Sequence, residues 1–419
     1  MNSLKKNIGS LLVVQAANYL LPLVTVPYLA HVLGARGFGR IAFAQAFAQY
    51  FVVLTDFGFN LTATRQVAIV RDDISKLSKL FNAVMATKLV LMSAGFTMVL
   101  ILTANVGILR QDSELCRISY LSVLGNVMFP VWLLQGAERM ERITTFIVSA
   151  RVLSVIAIFA FVRSASDINF AAVIQSSALI IAGIFALASL SSVARLNVRL
   201  PQIGDMTAVM SDSWPVFLST AAVSLYTSTN IFVLGLETNP IVVGYFSGAE
   251  KIVRAAQGAL NPISQSVYPH VVNLMTRSRD LTFKFLRKLL ALQSGAMFIV
   301  SVALFVSAAP AVKFLLGAKF GPSVDIIRWM AALPFLVGIS NVLGIQTMLV
   351  FDMKRAFTRI IVVAGLLNVL MLIPLAHVFG GVGAAMSVVA TESVVTLLMT
   401  AVLYRTDVLK EILKHRDMP

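Results

Sequence analysis

Residues 360–379 read IIVVAGLLNVLMLIPLAHVF, and after two glycines a second apolar stretch continues over residues 382–403. A hydrocarbon core about 30 Å thick needs roughly 20 apolar residues of helix to cross it. The first stretch reaches this length without a run of charges, and so do Ile8–Leu33 and Leu289–Leu316. These segments predict helices that span a lipid bilayer.

The composition of the whole chain is that of a membrane protein. Apolar residues make up 58% of the 419 residues, and the mean hydropathy is +0.86. Such a chain has too few polar side chains to cover soluble domains, so the sequence predicts an all-α, polytopic membrane protein. The twelve predicted spans are 8–33, 41–62, 83–109, 118–135, 146–162, 170–194, 215–236, 242–266, 289–316, 326–350, 360–379 and 382–403.

Basic residues are distributed unequally between the two sides of the predicted membrane. With the N-terminus in the cytoplasm, 22 of the 34 Lys and Arg residues fall on the cytoplasmic side, and 8 fall in outside loops or at the outer ends of spans. This bias follows the positive-inside rule, so we expect both termini in the cytoplasm. The formal charge of +15 is then mostly an orientation signal, and we expect no nucleic-acid partner.

A weak internal repeat divides the chain into two halves. Val32-Leu33-Gly34, before the second span, resembles Val233-Leu234-Gly235, before the eighth. The repeat predicts an N-terminal lobe over 1–200 and a C-terminal lobe over 201–419, each with six spans inserted in the same sense. Chance similarity between helices rich in Ala, Gly and Leu is the alternative.

Charged side chains inside the spans mark the candidate site, because an unpaired charge in the bilayer costs several kcal/mol. Glu250, Lys251 and Arg254 share the eighth span, and the four-residue spacing of Glu250 and Arg254 predicts an ion pair. If that pair is neutral, Lys251 still adds a cation at mid-depth, which favours a functional cluster over a structural one. The other charged residues in the spans are Asp56, Lys88, Arg151 and Glu392.

The depth of these charges separates two interpretations. Lys88 and Arg151 lie close to predicted cytoplasmic ends, where a long side chain can reach the headgroups. Glu392 lies near the midplane, where a carboxylate is either protonated or paired with a cation, so a role in proton coupling is one interpretation. The chain has one cysteine, Cys116, four scattered histidines and none of the common catalytic or nucleotide-binding motifs. We therefore predict no enzyme, no metal and no cofactor.

The most specific motifs read GARGFG at 34–39, DFGFNLTATR at 56–65 and FPVWLLQGAERM at 129–140. Weaker ones read VGYFSGAEK at 243–251 and GGVGAA at 380–385. In these motifs the whole chain resembles the O-antigen and exopolysaccharide repeat-unit flippases of the multidrug/oligosaccharidyl-lipid/polysaccharide exporter superfamily. The resemblance implies twelve transmembrane helices in two six-helix bundles, arranged as a V around a central cavity.

The same resemblance implies a function. The chain would move an undecaprenyl-diphosphate-linked oligosaccharide from the inner to the outer leaflet of a bacterial cytoplasmic membrane by alternating access. Membrane lipids surround such a protein, and a polysaccharide polymerase and a chain-length regulator are the implied protein partners. We expect contacts to the diphosphate from Lys251, Arg254, Arg151 and Lys88. We expect contacts to sugar hydroxyls from Gln45, Gln49, Asn230, Tyr226 and Tyr245. Coupling carboxylates would be Glu250, Asp56 and Glu392.

Two other functions stay open. A multidrug or cation antiporter of the same superfamily needs acidic groups for a cationic drug, and Lys251 and Arg254 disfavour that substrate. A membrane-embedded polysaccharide polymerase or glycosyltransferase needs a sizeable outside loop for its catalytic residues. Every predicted outside loop is short. A channel is disfavoured most.

Overall fold

A computed structural model describes residues 2–189, 196–258 and 260–414. The side chains of residues 2–20, 23, 222, 223, 225–227, 260–263, 265 and 266 lie outside that description. Within the described ranges, all regular secondary structure is helical. Contacts between Cα atoms divide the chain into two compact units, Met1–Ser224 and Leu225–Pro419, whereas the predicted lobes meet at residue 200.

The first unit contains both short and long helices. They are α1 (Asn2–Asp56), α2 (Phe59–Val70), α3 (Ile74–Asn105), α4 (Gly107–Gln111), α5 (Ser113–Ser119), α6 (Leu121–Met128), α7 (Val131–Gly136), α8 (Met140–Phe161), α9 (Ile168–Ala188) and the first part of α10 (Ile203–Glu237). The rest of α10 belongs to the second unit. It is followed there by α11 (Pro240–Gln257), α12 (Leu260–Arg277), α13 (Arg279–Leu315), α14 (Ser323–Met330), α15 (Leu333–Asn341), α16 (Lys354–Arg405) and α17 (Val408–Lys414).

Eight helical segments in the described part of the chain are long and apolar enough to cross a membrane. The longest of them, Lys354–Arg405, has 52 residues, which at 1.5 Å per residue measure about 78 Å, more than two hydrocarbon thicknesses. Gly380 interrupts this segment with a φ of 56°, and Gly34 interrupts α1 with a φ of 65°, a backbone region that favours glycine. The chain is therefore a multi-pass membrane protein, while the number of twelve spans stays a prediction.

Large apolar side chains stand exposed on the outer surfaces of the helices. Phe314 is 83% exposed, and Val306, Leu370 and Phe161 are also exposed. Contiguous apolar surface of this kind is unstable in water and is the normal surface of a protein in contact with lipid chains.

Several predicted spans, including the fourth, the eighth and the tenth, differ from single helices in the structure. The fourth, 118–135, is built from the short helices α5 to α7, which are interrupted at Tyr120 and again at Phe129 and Pro130. The second break contains a proline, which lacks the N–H that a helix interior needs. The eighth, 242–266, is divided between α11 and α12, and neither helix is among the eight long apolar segments. The tenth, 326–350, is divided between α14, α15 and a π-helical turn over Val342–Met348.

The motif at 129–140 forms a packing junction between α7 and α2 in the first unit. The indole of Trp132 is buried, and its ring centroid lies 6.0 Å from that of Phe81. A Cβ atom added at Gly136 would lie 2.6 Å from the Cβ of Val67, so a side chain cannot replace the hydrogen of Gly136 without moving a helix. This motif therefore sets the spacing of two helices.

Candidate functional site

Asp56 and Lys88 form an ion pair inside the first unit. Asp56 is the last residue of α1, and its Oδ1 lies 3.4 Å from the Nζ of Lys88 on α3. The Oδ1 of Asn126 on α6 lies 3.5 Å from the same Nζ and accepts a second hydrogen bond. The Lys88 side chain is 1% exposed and that of Asp56 is 13% exposed. Lys88 is thus neutralised in the interior instead of extending to the headgroups.

A cavity of about 380 Å³, with a few polar side chains in its lining, lies between α1, α8 and α9 of the first unit. Most of its lining is apolar. Its described polar side chains are Thr25, Gln45, Arg151, Ser154 and Gln175. We call this cavity the Arg151 pocket. The Nε2 of Gln45 donates a hydrogen bond of 3.3 Å to the Oε1 of Gln175, so α1 and α9 are joined across it.

Arg151 is the only charged side chain among the described residues that line this pocket. Met140 begins the helix of Arg151, and eleven residues at 1.5 Å per residue place Arg151 about 16 Å along a helix about 33 Å long. Arg151 is therefore central in α8, whereas the predicted span put it close to a cytoplasmic end. Among the residues whose side chains are described, none forms an ion pair with it.

The charged cluster of the second unit lies on α11. The Nε and Nη2 of Arg254 donate to the Oε1 of Glu250 at 3.0 and 2.8 Å, so the predicted four-residue ion pair forms. The Glu250 side chain is 10% exposed and that of Arg254 is 55% exposed. Lys251, beside this pair, is half-buried. The helix begins at Pro240 because the side chain of Asn239 accepts hydrogen bonds from the N–H groups of Ile241 and Val242.

Glu392 is buried in α16 of the second unit, where its Oε1 accepts a 2.7 Å hydrogen bond from the hydroxyl of Ser340 on α15. Asn230 is buried on α10, and its Oδ1 finds no hydrogen-bond partner in the described part of the chain. Tyr245 is half-buried on α11, and its ring lies edge-on to Phe320 at 5.8 Å.

The predicted residues therefore fall into separate groups within each unit. In the first unit, Asp56 forms an ion pair with Lys88, and Gln45 lines the same pocket as Arg151. The described lining of this pocket includes neither Asp56 nor Lys88. Gln49 is half-buried on α1, outside that lining. In the second unit, Glu250 forms an ion pair with Arg254, whereas Glu392 accepts a hydrogen bond from Ser340. The side chain of Tyr226 lies outside the described residues.

A larger groove in the second unit has a different character. It measures about 530 Å³, and its lining is apolar apart from Ser301 and Arg328. Arg328 donates to Asp325 at 3.4 Å, so its charge already has a partner. Trp329 is exposed beside it. These properties suit the chains of membrane lipids better than a polar substrate.

The profile of a family described as "Polysaccharide biosynthesis protein" matches residues 4–275, about two thirds of the chain. The chain belongs to the polysaccharide biosynthesis protein family. Within this family it is 36% identical, over 397 residues, to the "Putative O-antigen transporter" of Escherichia coli strain K12, and the match covers 95% of this chain and 96% of the relative.

Solved structures agree with the fold of this polysaccharide biosynthesis protein. An inward-facing multidrug resistance MATE family transporter of the MOP superfamily superposes with a TM-score of 0.72 at 12% identity, covering 95% of this chain and 96% of that one. The lipid II flippase MurJ, in an inward closed conformation, gives 0.65 at 13% identity, with 94% and 89% covered. The expected resemblance to O-antigen transporters is confirmed by the relative from Escherichia coli, and the solved structures show that the fold is the one expected. These relatives are named as transporters or flippases, in agreement with the prediction that the chain is not an enzyme.

Sequence reasoning about the polysaccharide biosynthesis protein did not find Gln175 or Asn126. Both are uncharged amides, and of the amides in the spans only Gln45, Gln49 and Asn230 were predicted as contacts. Gln175 follows Phe170-Ala-Ala-Val-Ile174, so an uncharged polar residue in an otherwise apolar run was the available signal. The contact of Asn126 with Lys88 depends on tertiary packing, which no local pattern encodes.

Proposed function

We propose that this protein is a flippase for undecaprenyl-diphosphate-linked polysaccharide repeat units in the bacterial cytoplasmic membrane. The observation that carries the proposal is the position of Arg151, a cation at mid-helix in a polar pocket, for which the described residues offer no carboxylate. A diphosphate that enters the membrane must be desolvated, and a cation in a low-dielectric cavity offsets this cost far better than one in water. The relatives named as an O-antigen transporter and as a lipid II flippase support the same substrate class.

The charges of the second unit support the same function. Glu250 neutralises much of the charge of Arg254, and Lys251 beside them leaves a net positive charge on this part of α11. We propose that Lys251 and Arg254 contact the diphosphate during transport, together with Arg151. Lys88 is a weaker candidate, because its contacts with Asp56 and Asn126 already occupy the ammonium group. Gln45, Gln49, Asn230, Tyr226 and Tyr245 remain our candidates for sugar contacts.

A cation antiporter is the rival that the fold alone allows. A cationic drug needs a carboxylate that can bind it or exchange a proton for it. In the described part of the spans, Asp56 is paired with Lys88, Glu250 with Arg254, and Glu392 accepts a hydrogen bond from Ser340. The engagement of these acids favours an anionic substrate.

We propose that transport occurs by alternating access, with twelve transmembrane helices in two six-helix bundles that form the V of this superfamily. The division of the chain into 1–200 and 201–419, and a cytoplasmic position of both termini, belong to the same proposal. Asp56, Glu250 and Glu392 are the candidate coupling carboxylates. A polysaccharide polymerase and a chain-length regulator are the proposed protein partners. The polymerase would consume the flipped unit, and the regulator would control the polymerase.

Flipping of a fluorescent undecaprenyl-diphosphate-linked sugar in proteoliposomes tests the function. Purified full-length protein should accelerate the appearance of the fluorophore in the opposite leaflet relative to protein-free vesicles of the same lipids. An imposed proton gradient should raise the rate if a carboxylate couples transport, and the amide variants Asp56→Asn, Glu250→Gln and Glu392→Gln should identify which one. If the lipid is not flipped while an organic cation exchanges for protons, the chain is an antiporter and the proposal fails.

A further inference from the structure

The Arg151 pocket lies within the membrane-spanning part of the first unit. Three long apolar segments supply its walls, namely Val24–Val70, Met140–Phe161 and Ala165–Ala188. Its volume of about 380 Å³ is in the lower part of the range of about 300–1000 Å³ that is typical of small-molecule sites. The pocket is large enough for a small polar group and too small for a whole oligosaccharide.

The charge of the pocket calls for an anion. A buried or half-buried arginine in a membrane span normally pairs with a carboxylate, because an isolated charge there is costly. Two carboxylates close to α1 in the fold have other partners: Asp56, its last residue, binds Lys88, and Asp112, just before α5, binds Arg40 at 2.6 Å. No described carboxylate lines the pocket or pairs with Arg151, so the site can accept the anion of a ligand. The planar guanidinium suits a phosphate, which it can bind with two parallel hydrogen bonds.

The two glutamines add the capacity to bind hydroxyl groups. Each amide carries one carbonyl and one NH₂ group, and the Gln45–Gln175 hydrogen bond uses one of each. One carbonyl and one NH₂ group remain on the pair, whichever way the amides are oriented. Thr25 and Ser154 donate their hydroxyl protons to Leu21 and Ala150 on their own helices, so these hydroxyl oxygens can still accept.

We propose that the Arg151 pocket binds the sugar phosphate of the lipid-linked substrate, with the phosphate on Arg151 and the first sugar on the Gln45–Gln175 amide pair. This assignment rests on the proposed function and adds Gln175 to the binding residues. The apolar remainder of the pocket lowers the local dielectric, which strengthens both kinds of contact. The more distal sugars of a repeat unit lie outside the pocket.

Binding of three defined probes to the purified full-length protein tests the proposal. The probes are farnesyl-diphosphate-linked N-acetylglucosamine, farnesyl diphosphate and phosphatidylglycerol, and their dissociation constants can be measured by native mass spectrometry. Arg151→Gln should weaken both diphosphate probes about 10-fold or more, since a hydrogen bond to a charged group is lost. The double variant Gln45→Leu, Gln175→Leu should weaken only the glycosylated probe, about 5- to 10-fold. The matched control is Arg163→Gln, at an exposed position just beyond the end of the same helix.

A second measurement does not depend on removal of the arginine. Ser154→Cys places a thiol in the pocket, and the natural Cys116 is buried elsewhere in the unit, so wild type gives the background of labelling. The glycosylated probe should slow the reaction of this thiol with a membrane-permeant maleimide at least 3-fold, and farnesyl diphosphate should protect it less. Equal rates with and without the probe would overturn the assignment.

The possible outcomes separate this proposal from the flippase function. If wild type flips the lipid-linked sugar and Arg151→Gln binds and flips it equally well, the function stands and the pocket assignment fails. If Arg151→Gln weakens phosphatidylglycerol as much as the glycosylated probe, the pocket is a general lipid-phosphate site and the sugar assignment fails. If wild type neither binds nor flips any diphosphate probe, the function fails together with the pocket.

Discussion

The ion pair between Asp56 and Lys88 gives a prediction whose size can be worked out from the structure. Lys88→Met removes the ammonium and leaves the Asp56 carboxylate in the interior of the first unit without its cation. Loss of one member of a buried pair costs about 3–5 kcal/mol. Because the two atoms are 3.4 Å apart and Asp56 keeps 13% exposure, we expect the lower end, about 3 kcal/mol.

The double variant Asp56→Leu, Lys88→Met should recover most of this loss. It replaces both charged side chains with apolar ones, so no unpaired charge remains in the interior. Such replacements often leave the free energy of unfolding unchanged. The coupling energy between the two sites should exceed about 2 kcal/mol. For a unit of this size, a loss of 3 kcal/mol corresponds to a drop of about 6–12 °C in melting temperature.

Thermal unfolding of the full chain in detergent, followed by tryptophan fluorescence, measures the cycle. Trp132 is buried in the same unit and reports on its packing. Additive losses in the double variant, or a single variant as stable as wild type, would refute the conclusion that the pair is buried and coupled. Transport by the stable double variant would also assign the pair a structural role and remove Lys88 from the diphosphate contacts.

Three further predictions concern packing, the cations of the second unit and topology. Gly136→Ala should destabilise the fold by about 1–3 kcal/mol, through overpacking against the neighbouring helix, and should therefore lower the melting temperature. Gly107→Ala, where a Cβ meets nothing within 4 Å, should leave it unchanged. Equal effects would contradict the close approach. Lys251→Ala with Arg254→Ala should abolish polymer export in cells at unchanged membrane abundance, and wild-type export would remove both from the substrate contacts. A periplasm-active phosphatase fused after Thr406 should be inactive, and an active fusion would contradict the cytoplasmic C-terminus.

Local patterns predicted the features of this protein that depend on neighbouring residues. The paired apolar stretches at 360–379 and 382–403 are found in one helical segment interrupted at Gly380, as the two glycines indicated. The spacing of Glu250 and Arg254 predicted their ion pair, because four residues bring side chains to one helix face. Both features are decided within about one helix turn.

Features that depend on packing between distant segments were missed. Lys88 was expected to reach the headgroups because the sequence indicated its depth in the span but not its neighbours in space. Its partner Asp56 lies 32 residues earlier in the chain, so no local pattern indicated the contact. Arg151 was placed near an end because the apolar run begins after Glu141 and Arg142, whereas the helix itself begins at Met140. The pocket that joins Gln45 to Arg151 needs three helices, so no spacing along the chain could show it.

The central position of Arg151 also has a consequence for biosynthesis. Insertion of an arginine at the middle of a helix costs about 2.5–3.5 kcal/mol on the scale measured for the translocon, and each Leu, Ile, Val or Phe contributes about −0.3 to −0.6 kcal/mol. Helix α8 contains eleven of these residues, which together contribute about −3 to −7 kcal/mol. The apolar residues of the helix therefore offset about the whole cost of its arginine. This balance favours entry of the helix into the membrane before any ligand is present, with the charge at mid-depth when the rest of the pocket assembles around it.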